Sequence, residues 1–378
     1  IIKRWEKDYS IKNFNSEDLI ENYKQIEREI SVSKLPDWDD PAEASVKLKI
    51  GADKLGWENM EVPRWFKFRE GEDGVKQSMT ETYIKKYIKK GGELITNLKV
   101  VRLKKRKTKW ILFCKNMRSG ELSNIECNFV FLCGGSINTP FLLRNSGIKK
   151  NIGNTLQMHP TIKVTAEFDE IVNYKSMGVP VHQVKEFSPD ISIGCSISSK
   201  PYLALSMLDN KKYIYKIDNN WQNMAIYYAM IKPEGNGKIR KIPFFKDPLV
   251  TYDLQKNDFK LLSKGLKKMC KILLVAGAKN IFPSIKNFGP IKNFSDLESI
   301  PDVMPSKNLN LMTIHLFSSC PMGENKNICA TDSYGKVNGF NNIYINDGSL
   351  LPTAPGVNPQ GTIMVIAKRN VKYFLEKN

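Results

Sequence analysis

Long apolar runs are missing from this sequence of 378 residues. A helix that spans a membrane needs about 20 consecutive apolar residues, whereas Lys271-Ile-Leu-Leu-Val-Ala-Gly-Ala278 has only the length of a core-helix segment. The first residues, Ile1-Ile-Lys-Arg-Trp5, run into charged sequence and do not look like a signal peptide, although a chain beginning with isoleucine says nothing about its natural start. We therefore predict no membrane span.

Paired cysteines and clustered histidines are also missing. The seven cysteines are scattered without a Cys-x-x-Cys pair, a pattern that fits neither a zinc site nor a disulfide framework and favours a reducing compartment such as the cytoplasm. The only histidines are His159, His182 and His315. We therefore expect no metal site, and any imidazole chemistry must come from one of these three residues.

Acidic residues are outnumbered, because 58 lysines and arginines face 39 aspartates and glutamates, for a formal net charge of +19. The basic stretch Lys104–Trp110 would suit a nucleic acid or an anionic membrane, but it lies between two strand-like runs and is typical of an exposed hairpin loop. Since no basic recognition module is present either, we predict no nucleic-acid partner. A serine hydrolase is disfavoured because no G-x-S-x-G occurs.

Strand patterns are present in the first half of the chain. Leu98–Leu103 and Trp110–Cys114 alternate like paired strands, and Asn128–Cys133 is a continuous apolar run typical of a strand that is buried on both faces of a parallel sheet. Gly134-Gly135 ends that run, and Thr139-Pro140 opens a helix. A strand, a glycine turn and a helix start, in that order, favour close approach to a cofactor.

Helix signals flank these strands. Ser16 followed by two acidic residues predicts an N-cap and a first helical turn, and Met79–Lys90 and Asp258–Ala276 predict two further helices. Residues 161–310 alternate strand-like pieces with loops around that last helix, so they are expected to form a separate domain of sheet and helices.

Three segments carry glycines, prolines and polar residues at fixed offsets. They read VFLCGGSINTPFLLRNSGI and GNTLQMHP (130–148 and 153–160), HLFSSCPMG (315–323), and VNGFNNIYINDGSLLP and NPQGT (337–352 and 358–362). In order and residue types they resemble the glucose–methanol–choline (GMC) family of FAD-dependent oxidoreductases. The Ser318-Ser319-Cys320 sequence is nearer to the family's pyranose oxidase and aminoglycoside-oxidase branch.

The resemblance implies catalytic roles for two residues. His315 matches the family's base, which takes the proton of a substrate hydroxyl while hydride moves to the flavin N5, and an imidazole with a pKa near about 6.5 suits that task. Asn358 matches the residue that holds the same oxygen. His159 matches a histidine of the family that we interpret as structural, and His182 lies in no motif.

Cofactor contacts are implied in the same way. Asp347, Gly348, Pro359 and Gln360 match positions that contact the flavin, and amides near Gln360 would face charge on the reduced ring. Val100 matches a valine whose backbone meets the adenine, and Gly134 and Gly135 would let the cofactor approach closely. No metal ligands are expected.

The G-x-G-x-x-G turn of the family does not occur in these residues. The family pattern would place it before Ile1, so we expect the chain to be the later part of a longer family member. The predicted fold class is α/β, a Rossmann-like FAD-binding domain without its N-terminal unit, interleaved with an antiparallel-sheet and helix substrate domain.

The predicted domain bounds are a helical segment beside the substrate domain at 1–75, an FAD-binding part at 76–158, the substrate domain at 159–306, and a closing FAD-binding part with the catalytic residues at 307–378. The predicted function is FAD-dependent oxidation of a small-molecule alcohol, with a sugar or amino-sugar hydroxyl favoured. The alternative is a truncated relic of the same fold that binds no flavin. The oligomeric state does not follow from the sequence.

Overall fold

The computed structural model describes residues 1–174 and 180–378. Within these ranges the chain forms a mixed α/β fold, as predicted. The α-helices are α1 (Ile2–Tyr9), α2 (Ser16–Glu29), α3 (Glu43–Lys54), α4 (Tyr83–Lys89), α5 (Gly135–Asn145), α6 (Lys200–Ser206), α7 (Lys216–Asn220), α8 (Lys256–Val275) and α9 (Gln360–Lys377).

The strands are distributed over several small sheets and one large one. In chain order they are β1 (Val32–Ser33), β2 (Asn59–Glu61), β3 (Arg64–Arg69), β4 (Glu72–Lys76), β5 (Leu98–Arg106), β6 (Lys109–Asn116), β7 (Leu122–Cys127), β8 (Val130–Leu132), β9 (Gln157–Met158), β10 (Thr161–Glu167), β11 (His182–Val184), β12 (Ile191–Ser196), β13 (Met224–Ile231), β14 (Asn236–Arg240), β15 (Leu249–Asp253), β16 (Asn280–Pro283), β17 (Leu316–Phe317) and β18 (Ile343–Ile345).

The large sheet has six strands in the order β16-β10-β13-β12-β11-β2, and its paired strands run antiparallel. Alternate residues of β10, β12 and β13 face one side, as the period of two in a strand requires, and α3 and α8 cover that side. We call this cluster the sheet core. Its buried residues run from Ala42 to Met304.

A second cluster, which we call the mixed core, is built from both ends of the chain. Buried residues of α1 and α2, such as Trp5 and Ile26, pack with residues of β5, β8, α5, β18 and α9. The segment 1–75 is thereby divided, because residues 5–30 contribute to the mixed core and residues 42–57 to the sheet core. The segment 1–75 also contains the strands β1 to β4 in addition to its helices.

The glycine turn at Gly134-Gly135 follows a short parallel ladder. β8 pairs with β18 in parallel, Val130 opposite Ile343 and Leu132 opposite Ile345. The expectation that this strand is buried on both faces is wrong for these residues, because Phe131 is 37% exposed and stacks on Tyr344. Only the side of Val130 and Leu132 is packed into the mixed core.

Several element boundaries differ from the predicted ones. The N-cap of α2 is Asn15, whose side chain accepts a hydrogen bond from the Asp18 amide, so Ser16 is the first helical residue. α4 begins at Tyr83 rather than Met79, because Ser78–Thr82 form hydrogen-bonded turns first. α5 begins at Gly135 rather than at Thr139-Pro140, so Pro140 lies inside the helix.

No helix within residues 1–174 and 180–378 is long and apolar enough to cross a membrane.

Candidate active site

A two-residue ladder brings two histidines together. β17 pairs with β9 in antiparallel register, with Leu316 opposite Met158 and Phe317 opposite Gln157. His315 comes just before β17 and His159 just after β9, so antiparallel pairing places both residues at the same end of the ladder. Thr313 fixes the chain there, because its Oγ1 accepts a hydrogen bond from the His315 amide and donates one to the His315 carbonyl.

The two imidazole rings are in direct contact. Nδ1 of His159 lies 3.1 Å from Nδ1 of His315, and the ring planes are nearly perpendicular, at 89°. Phe317 packs on the same rings, with its centroid 4.9 Å from that of His159. His159 is fully buried, whereas His315 is partly exposed. Of the two histidines, only His315 is therefore within reach of a ligand from solvent.

Asn358 lies on the accessible side of His315. Its Nδ2 is 3.5 Å from Nε2 of His315, which is too long for a firm hydrogen bond, and its side chain is exposed. A ligand oxygen between the two groups would find a hydrogen-bonding atom on each side. The two residues are 43 positions apart in the sequence, and the fold brings them together.

Both histidines are held in the neutral form at neutral pH. Burial lowers the pKa of His315 to about 4. Burial, reinforced by the nearby charges of His315 and Lys232, lowers the pKa of His159 to about 3. A neutral imidazole has one nitrogen that donates and one that accepts, so the location of the single proton on each ring decides what that ring can do.

Asp347 joins the glycine turn to the strand end beside it. Its Oδ2 accepts hydrogen bonds from the Gly135 amide (2.9 Å) and the Thr139 hydroxyl (2.5 Å). Its Oδ1 accepts two more, from the amide and the hydroxyl of Ser349. The carboxylate, predicted as a cofactor contact, thus holds the start of α5 against the turn after β18.

The glycines of this region differ in what surrounds them. Gly135 has a φ of +80° and open space where a side chain would lie, which keeps the turn accessible. At Gly348 an added Cβ would lie 3.1 Å from the carbonyl oxygen of Leu316, so this turn packs closely on the strand that follows His315. The Gly134 amide donates to the Thr139 hydroxyl.

The N-terminus of α9 lies next to Asn358. Pro359 is the N-cap and Gln360 the first helical residue, and Ile363 is the first residue whose amide bonds back to Pro359. The amides of residues 360–362 precede that first bond, so a partial positive charge lies at this helix start, beside Asn358. Such a helix start suits a ring that takes up negative charge, as a flavin does on reduction.

The remaining predicted residues lie elsewhere. Val100 is half-buried in β5, pairs with Cys114, and packs against the mixed core. His182 lies in β11, where its Nδ1 is 3.0 Å from the Ser45 hydroxyl. A cavity of about 500 Å³ beside Tyr334 and one of about 350 Å³ beside Glu167 contain none of the predicted site residues. No group of potential metal ligands is present in residues 1–174 and 180–378.

Two residues of this site were not predicted to act in it. His159 was interpreted as structural, and Gly356 had no predicted role, yet the Gly356 amide donates a hydrogen bond to Nε2 of His159 (3.0 Å). The two residues contact each other although they lie about 200 positions apart, and sequence patterns do not reveal such a contact. The only available signal was the His-Pro pair in the motif.

Comparisons with known proteins agree with the sequence motifs. Two models of the GMC oxidoreductase family match this chain, over residues 1–161 and 245–367. An uncharacterized GMC-type oxidoreductase of Sinorhizobium fredii, y4nJ, is 35% identical over 98% of this chain and 75% of its own length. The long-chain-alcohol oxidase FAO1 of Arabidopsis thaliana is 28% identical over 64% of this chain and 35% of its own.

A solved structure extends the likeness to the whole fold. Pyridoxine 4-oxidase from Mesorbium loti superposes with a TM-score of 0.71 over 99% of this chain and 80% of that chain, at 15% identity. Of the two sequence relatives, the chain spans about three quarters of the length of y4nJ and about a third of the length of FAO1.

Proposed function

Because this chain belongs to the GMC oxidoreductase family, we propose that it oxidises an alcohol with FAD as the hydride acceptor. The observation that carries the proposal is the close approach of His315 and Asn358 on the accessible side of a buried histidine pair. In this proposal the substrate hydroxyl oxygen lies between the two side chains, and His315 is the base for its proton.

The surroundings of His315 suit that role. Since burial lowers its pKa to about 4, the ring is uncharged at neutral pH and has one nitrogen with a free lone pair for a bound hydroxyl. Asn358 is a second polar group for the same oxygen, and two contacts fix the direction in which the carbinol hydrogen points. Phe317 and His159 pack against the far side of the ring.

Residues of the helix start and the glycine turns would hold the cofactor. FAD, when bound, supplies the electron-accepting ring for the hydride. The α9 amides after Pro359 would stabilise negative charge on that ring, and Gly134, Gly135 and Gly348 would allow backbone to come close to the cofactor. Asp347 would act through the turn that it holds, and Val100 remains the predicted adenine contact.

The proposal is tested by anaerobic stopped-flow reduction of the flavin-loaded protein by alcohol. His315→Ala should slow flavin reduction by about 10²–10⁴-fold, because a positioned acid–base group is lost. Asn358→Ala removes one hydrogen bond to the reacting oxygen and should cost about 10–10³-fold. His182→Ala is the matched control and should leave the rate unchanged. An unaltered rate in His315→Ala would contradict the proposed role.

The proposed substrate is a sugar or amino-sugar hydroxyl, on the basis of the branch resemblance and the basic surface charge. A second candidate is an alcohol with an apolar chain, because Ile314 beside His315 is 78% exposed and Met312 is 42% exposed. The named relative FAO1 acts on such alcohols. A screen of polyols, sugars and aliphatic alcohols decides between the two, since only one class should reduce the flavin efficiently.

The alternative is a relic that keeps the fold and binds no flavin. The open glycine turn and the uncapped α9 amides favour the enzyme over the relic. The flavin content of the protein purified from its natural gene separates the two, because a colourless, flavin-free protein supports the relic.

A further inference from the structure

The buried partner of His315 has a fixed hydrogen-bonding direction. Nε2 of His159 accepts from the backbone amide of Gly356 at 3.0 Å, and a backbone N–H can only donate. Nε2 of His159 therefore carries no proton. Since the pKa of His159 is lowered to about 3, the ring is neutral at neutral pH, and its one proton lies on Nδ1.

The proton position on His159 also determines the proton position on His315. Nδ1 of His159 is 3.1 Å from Nδ1 of His315, and two N–H groups cannot face each other in a hydrogen bond. Because His159 donates across this contact, Nδ1 of His315 must accept. His315 is also neutral at neutral pH, so its proton lies on Nε2, on the side of Asn358.

We propose that His159 is a positioning residue that fixes the tautomer of His315, so that the resting site presents an N–H at Nε2 to the substrate oxygen. The proposal rests on the proposed function and refines one of its steps. The amide of Asn358 adapts to it, because rotation by 180° exchanges Oδ1 and Nδ2 and lets Oδ1 accept from Nε2 of His315. The Gly356 amide has no such freedom.

This arrangement has a consequence for the base. An imidazole with its proton on Nε2 donates to a hydroxyl oxygen but cannot accept the hydroxyl proton at the same atom. For His315 to accept it at Nε2, the single proton of that ring must lie on Nδ1 instead. Nδ1 of His159 must then be the acceptor, so the single proton of His159 must lie on Nε2, and each ring still carries one proton.

That change requires the contact with Gly356 to break. A proton on Nε2 of His159 would point at the Gly356 amide, 3.0 Å away. Gly356 is two residues before Asn358, so the loop that locks the histidine pair also carries the second substrate contact. His315 therefore rests as a donor and becomes a base only when this loop releases His159.

The test is a long-range ¹H–¹⁵N NMR spectrum of the flavin-loaded protein with ¹⁵N-labelled histidine at neutral pH. His315 should show a protonated Nε2 and an unprotonated Nδ1, and His159 the reverse. His315→Gln and His182→Gln assign the signals. A His315 signal with the proton on Nδ1 overturns the proposal, whether or not any alcohol reduces the flavin.

A variant gives an independent measurement. His159→Phe removes the donor to Nδ1 of His315 and should shift the tautomer ratio of His315 about tenfold toward Nδ1–H. His182→Phe, the control, should leave that ratio unchanged. A ratio that does not move in a folded His159→Phe protein overturns the proposal, and if that variant does not fold, the unmutated spectrum decides. Absence of any alcohol oxidation alongside the expected tautomers would count against the proposed function alone.

Discussion

At the scale of residues, the histidine pair makes stability depend on pH. The folded pKa of His159 is lowered to about 3 and that of His315 to about 4, whereas an unfolded chain has histidines near about 6.5. As the pH falls below about 6.5, the unfolded state binds protons that the folded state does not. This contribution to stability is thus fully present above about pH 6.5 and is lost progressively towards pH 3.

We therefore expect the free energy of unfolding to fall between pH 7 and pH 4, and to fall less steeply in His159→Gln. Urea unfolding at a series of pH values measures both slopes. Equal slopes for the two proteins would contradict the assignment of His159 as a buried neutral histidine.

The sequence allowed His315 and Asn358 to be chosen, because each lies in a motif whose residue types have a chemical reason. It could not predict the roles of His159 or Gly356. Their importance depends on a 3.1 Å and a 3.0 Å contact, which follow from the pairing of β9 with β17 and from the path of the loop before α9.

At the scale of elements, α3 and α8 approach each other through a glycine. A Cβ at Gly51 would lie 2.3 Å from the carbonyl oxygen of Ile272, so alanine at this position must push the helices apart. Alanine is favoured over glycine in a helix by roughly 1 kcal/mol, but overpacking costs about 1–3 kcal/mol.

Gly51→Ala should therefore lower the free energy of unfolding by up to about 2 kcal/mol net, as measured by urea denaturation. Lys54→Ala, exposed on the same helix, should change it by less than about 0.5 kcal/mol. A stabilised Gly51→Ala protein would show that helix propensity outweighs the contact.

Local sequence patterns predicted some helices and strands correctly and others only in part. The hairpin of β5 and β6 was predicted because alternation and a polar loop agree there, and the structure extends it to Leu98–Arg106 and Lys109–Asn116. The start of α4 was placed too early, since Met79 packs against the mixed core from a turn that precedes the helix. β8 lacks its second buried face because Phe131 points to that side, where it stacks on Tyr344 and stays 37% exposed.

At the scale of the molecule, Arg369 connects three distant parts of the chain. The buried guanidinium donates to the carbonyls of Lys12, Asn13 and Ser333, and it stacks on Tyr334 at 4.3 Å. α9 is thereby tied both to the segment after α1 and to the loop before β18.

Arg369→Lys keeps the charge but cannot reach three carbonyls in one plane, so some of them lose their donor. We expect a loss of about 2–4 kcal/mol in the free energy of unfolding, measured with urea. Arg118→Lys, at an exposed position, is the control and should change it by less than about 0.5 kcal/mol. A loss of that small size in Arg369→Lys would contradict the connecting role.

The α/β class was predictable because strand and helix patterns occur side by side along the chain. The division of residues 1–75 between two cores was not, because it depends on partners more than 300 positions away, such as Thr353, which accepts a hydrogen bond from the Trp5 indole. The domain bounds remain a prediction.

The residues of the two cores are fully translated at different times during synthesis of the chain. The sheet core is complete once Met304 has left the ribosome, whereas the mixed core must wait for Val365 and Ile366. Domains generally fold as units while the chain grows, so the sheet can form first, with Trp5 and its neighbours still without their partners. His159 gains its contacts with His315 and with Gly356 only after those residues are translated, so the histidine pair assembles among the last events of biogenesis.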